Sequence, residues 1–150
     1  MKKVKGLLIL WVAAGLISCD SKPTENESIE VEMEQVADHQ SPIALNENNE
    51  KWTVNEEMKP FVNEGVRLVN DFLESNDEDF ETLIQKLNEQ NSQLIESCTM
   101  TGRSHDELHK WLHPHLEVVK KIGEAQNPNE AKEVVEAVKL SYQVYDEYFQ

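Results

Sequence analysis

The chain has 150 residues, which is enough for one domain with tails. It carries 14 basic and 29 acidic side chains, so its formal net charge is -15, and removal of the first 18 residues with their three lysines would make it -18. A surface this acidic repels phosphate backbones and anionic headgroups, which argues against nucleic-acid binding. Only five glycines and five prolines are present, which favours helices over sheet.

Residues 1–18 have the pattern of a signal peptide: a basic start, then an apolar stretch too short to span a bilayer comfortably. The segment ends in Leu16-Ile17-Ser18-Cys19, which resembles the lipobox of bacterial lipoproteins. The resemblance implies cleavage before Cys19, attachment of lipid such as palmitate to that residue, and a domain held to a cell-envelope membrane outside the cytoplasm. An ordinary secretory signal and a single membrane anchor are the alternatives.

Residues 19–51 are predicted to form a disordered acidic linker. From residue 20 onward they contain nine acidic residues against two lysines and few apolar side chains. Such a segment cannot bury enough apolar surface to offset the entropy lost on ordering. The folded domain is therefore expected to cover residues 52–150.

Two amphipathic helices are predicted in the first half of this domain. Thr53-Val54-Asn55-Glu56 has the pattern of a capping box, and the helix that it starts should end near Ser75. Asn76 or Asp77 is the predicted cap of the second helix, and Gly102 suits a positive φ after its end. The apolar stripe of the second helix has heptad spacing and comprises Phe80, Ile84, Leu87, Asn91, Leu94 and Cys98.

Two further helices follow. Ser104-His105-Asp106-Glu107 resembles a second capping box, Pro114 should kink the helix that it starts, and Gly123 should end it. Asn127-Pro128-Asn129-Glu130 is typical of the start of the last helix. Short loops between long helices make sequential helices antiparallel, so the predicted fold is all-α, an up-down-up-down four-helix bundle.

A metal site is predicted where the second helix ends and the third begins. His105 and His109 are four residues apart, so they share one face of a helix, and Cys98 lies across the turn from them. In the predicted bundle, Met58 or Met100 would lie nearby. Imidazole, thiolate and thioether donors together suit copper, especially Cu(I), whereas two imidazoles and a thiolate also suit zinc.

Other side chains near this site have secondary roles in the prediction. Glu107 or Glu57 would hydrogen-bond to an imidazole ligand and orient it. His113 should face solvent and His115 should point toward the apolar side, both with structural functions.

Two resemblances concern the same stretch. The segment Cys-x-Met-x-Gly-x-x-His-x-x-Leu-His, residues 98–109, resembles one in short uncharacterised lipoproteins of Gram-negative bacteria, and it implies no activity. The segment from His105 to His109 is similar to the zinc-protease helix, but Asp106 stands where the protease has its general-base glutamate. Hydrolase activity is therefore not expected, and non-covalently bound haem ranks below a bare metal ion.

Two functions remain open from the sequence. The first is a lipid-anchored protein that captures or senses copper or zinc outside the cytoplasm, similar in kind to helical-bundle metal binders and sensors. The second is a cofactor-free interaction or structural module of the cell envelope, with Trp52 and Trp111 as anchors for a protein partner. The second hypothesis makes the histidine-rich turn a folding corner or a partner-binding surface.

Overall fold

A computed structural model describes residues 42–75 and 77–150, and this part of the chain is all-α, as predicted. One turn of 3-10 helix is followed by four α-helices. The helices are α1 (Lys59–Ser75), α2 (Phe80–Ser97), α3 (Arg103–Ile122) and α4 (Pro128–Tyr148). Cys19, the signal segment and the linker up to residue 41 lie outside the described residues. Among those that are described, no helix is both long and apolar enough to cross a membrane.

The four helices enclose one apolar core. α1 packs against α2 and α4, and α3 packs against α2 and α4. Each helix buries one stripe of side chains in the core, and full burial of one large apolar side chain stabilises the fold by about 1.5–3 kcal/mol. The largest fully buried apolar side chains are Trp111, Phe149, Met58, Leu87, Leu94, Leu108, Val69, Val119, Val135 and Val138.

The start of α1 differs from the prediction. The capping box at residues 53–56 is wrong, because the chain there is extended and pairs with the other end of the domain. The N–H of Val54 donates to the carbonyl of Gln150 at 3.0 Å, and Trp52 and Phe149 form an isolated parallel β-bridge. A 3-10 turn, Glu56–Met58, then leads directly into α1, whose end at Ser75 was correctly predicted.

Asn55 connects the extended residues before α1 to the turn between α2 and α3. Its side-chain N–H donates to the carbonyl of Ser97 at 2.9 Å, and its Oδ1 accepts the N–H of Thr99 at 3.2 Å. Both bonds satisfy backbone groups just beyond the end of α2, where no helical partner is available. Asn55 therefore fixes the segment that carries Cys98.

We expect Asn55→Ala to lower the free energy of unfolding by about 1–2 kcal/mol, since it loses one hydrogen bond to the half-buried carbonyl of Ser97 and one to the exposed N–H of Thr99. Asn63→Ala is the matched control, because Asn63 is exposed on α1. Urea denaturation followed by circular dichroism measures both changes. Equal midpoints for the two variants would show that the Asn55 bonds contribute nothing.

The starts of α2 and α3 also correct the prediction. The cap of α2 is Asp79, not Asn76 or Asp77, and its carboxylate accepts the N–H of Thr82 at 3.1 Å and the Thr82 hydroxyl at 2.7 Å. α3 is preceded by Gly102, whose φ of 68° confirms the predicted positive φ, although the glycine caps α3 instead of following α2 directly.

The capping box at residues 104–107 is wrong for a physical reason. α3 begins at Arg103, two residues before the start that a cap at Ser104 would give, and its cap is Gly102. Glu107 is only 4% exposed. The Glu107 carboxylate accepts the N–H of Ala44 and pairs with Lys110, so it does not turn back to the start of the helix.

The last helix starts as predicted. Asn127 caps α4 by accepting the N–H of Glu130 at 3.1 Å, and Pro128 occupies the first helical position. The Glu130 carboxylate accepts the N–H of Gln126 at 2.8 Å, which completes the reciprocal pair. Gly123 ends α3, also as predicted.

Residues 42–51 contact the helical domain, although the folded part was expected to start at residue 52. Ile43 packs against the core, and the N–H of Ala44 donates to the Glu107 carboxylate at 3.0 Å. The carbonyl of Ala44 accepts the indole N–H of Trp52 at 2.6 Å, and Glu47 pairs with Arg103 at 3.2 Å. The packed region therefore extends to at least Ile43.

Candidate metal centre

Three histidines form a row along one face of α3, and we call His105, His109 and His113 the histidine row. The Nε2 atoms of His105 and His109 are 3.1 Å apart, and Nδ1 of His109 is 3.1 Å from Nε2 of His113. The ring centroids are 4.4 Å and 5.1 Å apart along the row. His105 and His109 are half-buried and His113 is exposed.

The histidine row forms because its members are spaced four residues apart and because packing fixes the orientation of α3 about its own axis. Residues four apart on a helix are neighbours on its surface. Leu108, Trp111 and Leu112 are buried between the other helices, which fixes the face of α3 that turns to the core. The predicted pairing of His105 with His109 is therefore confirmed, and His113 faces solvent as predicted but also contacts His109.

The 3.1 Å separations fit both a proton and a metal ion. In a neutral imidazole one ring nitrogen donates and the other accepts, so each contact holds one shared proton. Two nitrogens bound to one tetrahedral zinc at about 2.0–2.1 Å would be about 3.3–3.4 Å apart. The separation of the His105 and His109 nitrogens therefore differs from that of a zinc-bound pair by a few tenths of an ångström.

The predicted sulfur donors lie in different surroundings. Cys98 is a free, half-buried thiol at the C-terminal cap of α2, and its backbone N–H donates to the carbonyl of Ile95 at 3.2 Å. Met100 is half-buried and packs against the core, whereas Met58 is 1% exposed and belongs to the core itself. Within residues 42–75 and 77–150, no group of three or more His, Cys, Asp or Glu side chains is arranged to hold a metal ion. The structure thus brings together two predicted ligands, both imidazoles.

The two glutamates expected to orient an imidazole have other partners. Glu107 accepts the Ala44 N–H and forms an ion pair with Lys110 at 3.0 Å, in which both side chains are less than a tenth exposed. Glu57 accepts a hydrogen bond from Asn55 at 3.0 Å, and this bond lowers the pKa of the Glu57 carboxyl. Glu107 therefore holds the segment at residues 42–51 against α3. No pattern in the sequence marks the Ala44 N–H as its partner.

His115 belongs to the core, as predicted from its position on the apolar side of α3. Its ring stacks on Trp111 at a centroid distance of 4.8 Å and lies 4.6 Å from the ring of Tyr142. Nδ1 is 3.0 Å from the Ser141 hydroxyl. Burial without a compensating charge lowers the pKa of His115 to about 4, so its imidazole is neutral at physiological pH.

Tyr142 and Tyr145 extend this aromatic cluster on α4. Burial raises the pKa of both phenols, to about 12 for Tyr145 and further for Tyr142. Both therefore remain neutral at physiological pH and act as packing groups. The Tyr142 hydroxyl lies directly against Gly65 of α1.

Comparisons with known proteins do not place the chain in a family. The models of protein families, the curated proteins and the solved structures with which it was compared gave no match.

Proposed function

We propose that this protein is a lipid-anchored helical protein of the cell envelope that binds a transition metal, copper or zinc, for capture or sensing outside the cytoplasm. The observation that carries the proposal is the 3.1 Å separation of the Nε2 atoms of His105 and His109. Two imidazoles at this distance on one helix form a preorganised chelating pair. A metal ion between them would take the place of the shared proton, which would move to the other nitrogen of the same neutral ring.

Sulfur donors decide which metal the site prefers in this proposal. Cys98 and Met100 lie in the segment between α2 and α3, which leads directly into the histidine row. Approach of either sulfur to the imidazole pair would favour Cu(I), whereas the imidazoles with water would favour Zn(II) or Cu(II). Met58 would act only if the metal reached the core, because its side chain is buried there.

The membrane attachment and the topology complete the proposal. Lipid on Cys19 would hold the domain at a membrane, with the acidic linker as a spacer. Two features support an antiparallel up-down-up-down bundle: each helix packs against its neighbour in the chain, and α1 also packs against α4. The high acidic charge argues against nucleic acid as a partner.

We expect the full-length chain, purified in detergent under reducing conditions and stripped with a chelator, to bind Zn(II) or Cu(I) stoichiometrically. His109→Ala should weaken binding by at least tenfold, because it removes one of the two imidazoles of the chelating pair. Titration against a competing metal indicator measures both affinities. Asn88→Ala, an exposed change on α2, is the control and should leave the affinity unchanged.

Weak, multiple binding that is insensitive to His109→Ala would contradict the proposal, because it would come from the acidic surface. That outcome would favour the cofactor-free interaction module. The observation that favours this alternative is an apolar groove between α3 and α4. Its rim includes Leu140, which is 59% exposed, and Val144, with Ile43 and Pro114 on the facing side.

A further inference from the structure

His109 is the only member of the histidine row with two imidazole neighbours. Its Nε2 faces Nε2 of His105 and its Nδ1 faces Nε2 of His113, each at 3.1 Å. Both ring nitrogens are therefore directed at a second potential ligand. This arrangement differs from a chelating pair, in which only one nitrogen of each ring is used.

We propose that His109 bridges two metal ions as an imidazolate, one ion shared with His105 and the other shared with His113. This inference rests on the proposed metal-binding function and specifies the number of ions and the bridging ligand. The ions suited to it are divalent and prefer imidazole, namely Zn(II) or Cu(II). Water molecules complete the coordination of each ion.

The geometry favours two ions over one ion held by all three histidines. The row spans eight residues from His105 to His113, which is roughly 12 Å along a helix axis. Three side chains spread over this length cannot converge on one ion at about 2 Å from each nitrogen.

A neutral imidazole carries one N–H and one lone pair, so the first metal binds His109 without loss of a proton from that ring. Binding of the second metal breaks the remaining N–H bond, and the proton passes to solvent while its electron pair forms the second metal–nitrogen bond. Each bridged pair therefore releases one proton more than two ions bound independently.

The net charge of the molecule favours the binding of divalent cations in general. The chain has a formal net charge of -15, and such a field attracts divalent ions and stabilises them once they are bound. The imidazolate adds one negative charge between the two ions, which reduces their mutual repulsion.

The experiment is a Zn(II) titration of the full-length, metal-stripped chain by calorimetry at pH 8.5, in several buffers of different ionisation enthalpy. We expect two equivalents for the unaltered chain, one for His105→Ala, one for His113→Ala and none for His109→Ala. Proton release, obtained from the buffer dependence, should be higher by one per chain for the unaltered protein than for either single-site variant. Asn88→Ala should behave as the unaltered chain, and far-ultraviolet circular dichroism verifies that each variant is folded.

The outcomes separate this inference from the function on which it rests. One equivalent that is lost in His105→Ala and unaffected by His113→Ala would overturn the bridge and leave the metal-binding function standing. Two equivalents without the additional proton would also overturn the bridge, since the ions would then be independent. Absence of stoichiometric binding in the unaltered chain would overturn both.

Discussion

Gly65→Ala should destabilise the protein by about 3 kcal/mol, at the upper end of the usual cost of overpacking a core. A Cβ atom at Gly65 would lie 2.0 Å from the Tyr142 hydroxyl oxygen and 2.7 Å from the ring carbon that bears it. Neither separation is possible without movement of α1 or of the tyrosine. Tyr142 is buried against His115 and Trp111, so its ring cannot move aside freely.

Gly123→Ala is the matched control for this prediction. The nearest side-chain atom to its added Cβ would be Cδ1 of Ile84 at 3.5 Å, an ordinary contact, and the φ of -76° suits alanine. This change should be neutral or should stabilise the protein by up to about 1 kcal/mol, because alanine lowers the conformational entropy of the unfolded chain. The midpoint of urea denaturation, measured for both variants, tests this prediction. A Gly65→Ala midpoint as high as that of Gly123→Ala would contradict the close approach of α1 and α4.

The protein should lose stability between pH 7 and pH 4 because of His115. Its pKa is about 4 in the folded protein and about 6.5 in the unfolded chain, so between these values only the unfolded chain binds the proton. The free energy of unfolding therefore falls as the pH drops through this window. The full contribution is about 3 kcal/mol, from about 1.4 kcal/mol for each unit of pKa difference.

His115→Phe isolates this contribution, because phenylalanine preserves the stacking on Trp111 and does not titrate. Urea denaturation in the presence of a chelator, at pH 7, 6, 5 and 4, should show a steeper loss of stability for the unaltered protein than for the variant. The difference between the two slopes measures the His115 term, since the carboxylates titrate in both. Parallel curves would mean that the His115 imidazole has access to water in the folded state.

The spacing of apolar residues was enough to predict the four helices, but it did not predict all of their first and last residues. The stripes that contain Leu87 and Leu94 or Val135 and Val138 are long enough to dominate the local pattern, and all four side chains are buried. The capping boxes failed at residues 53–56 and 104–107 because tertiary contacts use those residues otherwise. The cap at Asn127 was predicted correctly because its partner, the N–H of Glu130, lies three residues away in the same helix.

Only those contacts of the candidate site that lie within one helix could be predicted from the sequence. His105 and His109 are brought together by one helix, so the sequence alone determines their contact. The relation of Cys98 to these histidines depends on where α2 ends, and α2 ends one residue before Cys98, which is extended. The contact of His113 with His109 follows from the same spacing of four, and it forms although His113 faces solvent.

The pairing of the two ends of the domain has a consequence for the order of folding. Lys51 and Gln150 are 99 positions apart, yet the Gln150 side chain donates to the Lys51 carbonyl, and the backbones of Trp52 and Gln150 hydrogen-bond beside it. Closing so long a loop costs entropy that a few hydrogen bonds cannot offset before the intervening helices have docked. We therefore expect the bridge to form late in folding, and contacts that form late act mainly on the rate of unfolding. The pairing of the short extended segment at Trp52 with the C-terminal residues should therefore slow unfolding of the helical domain without raising its folding rate.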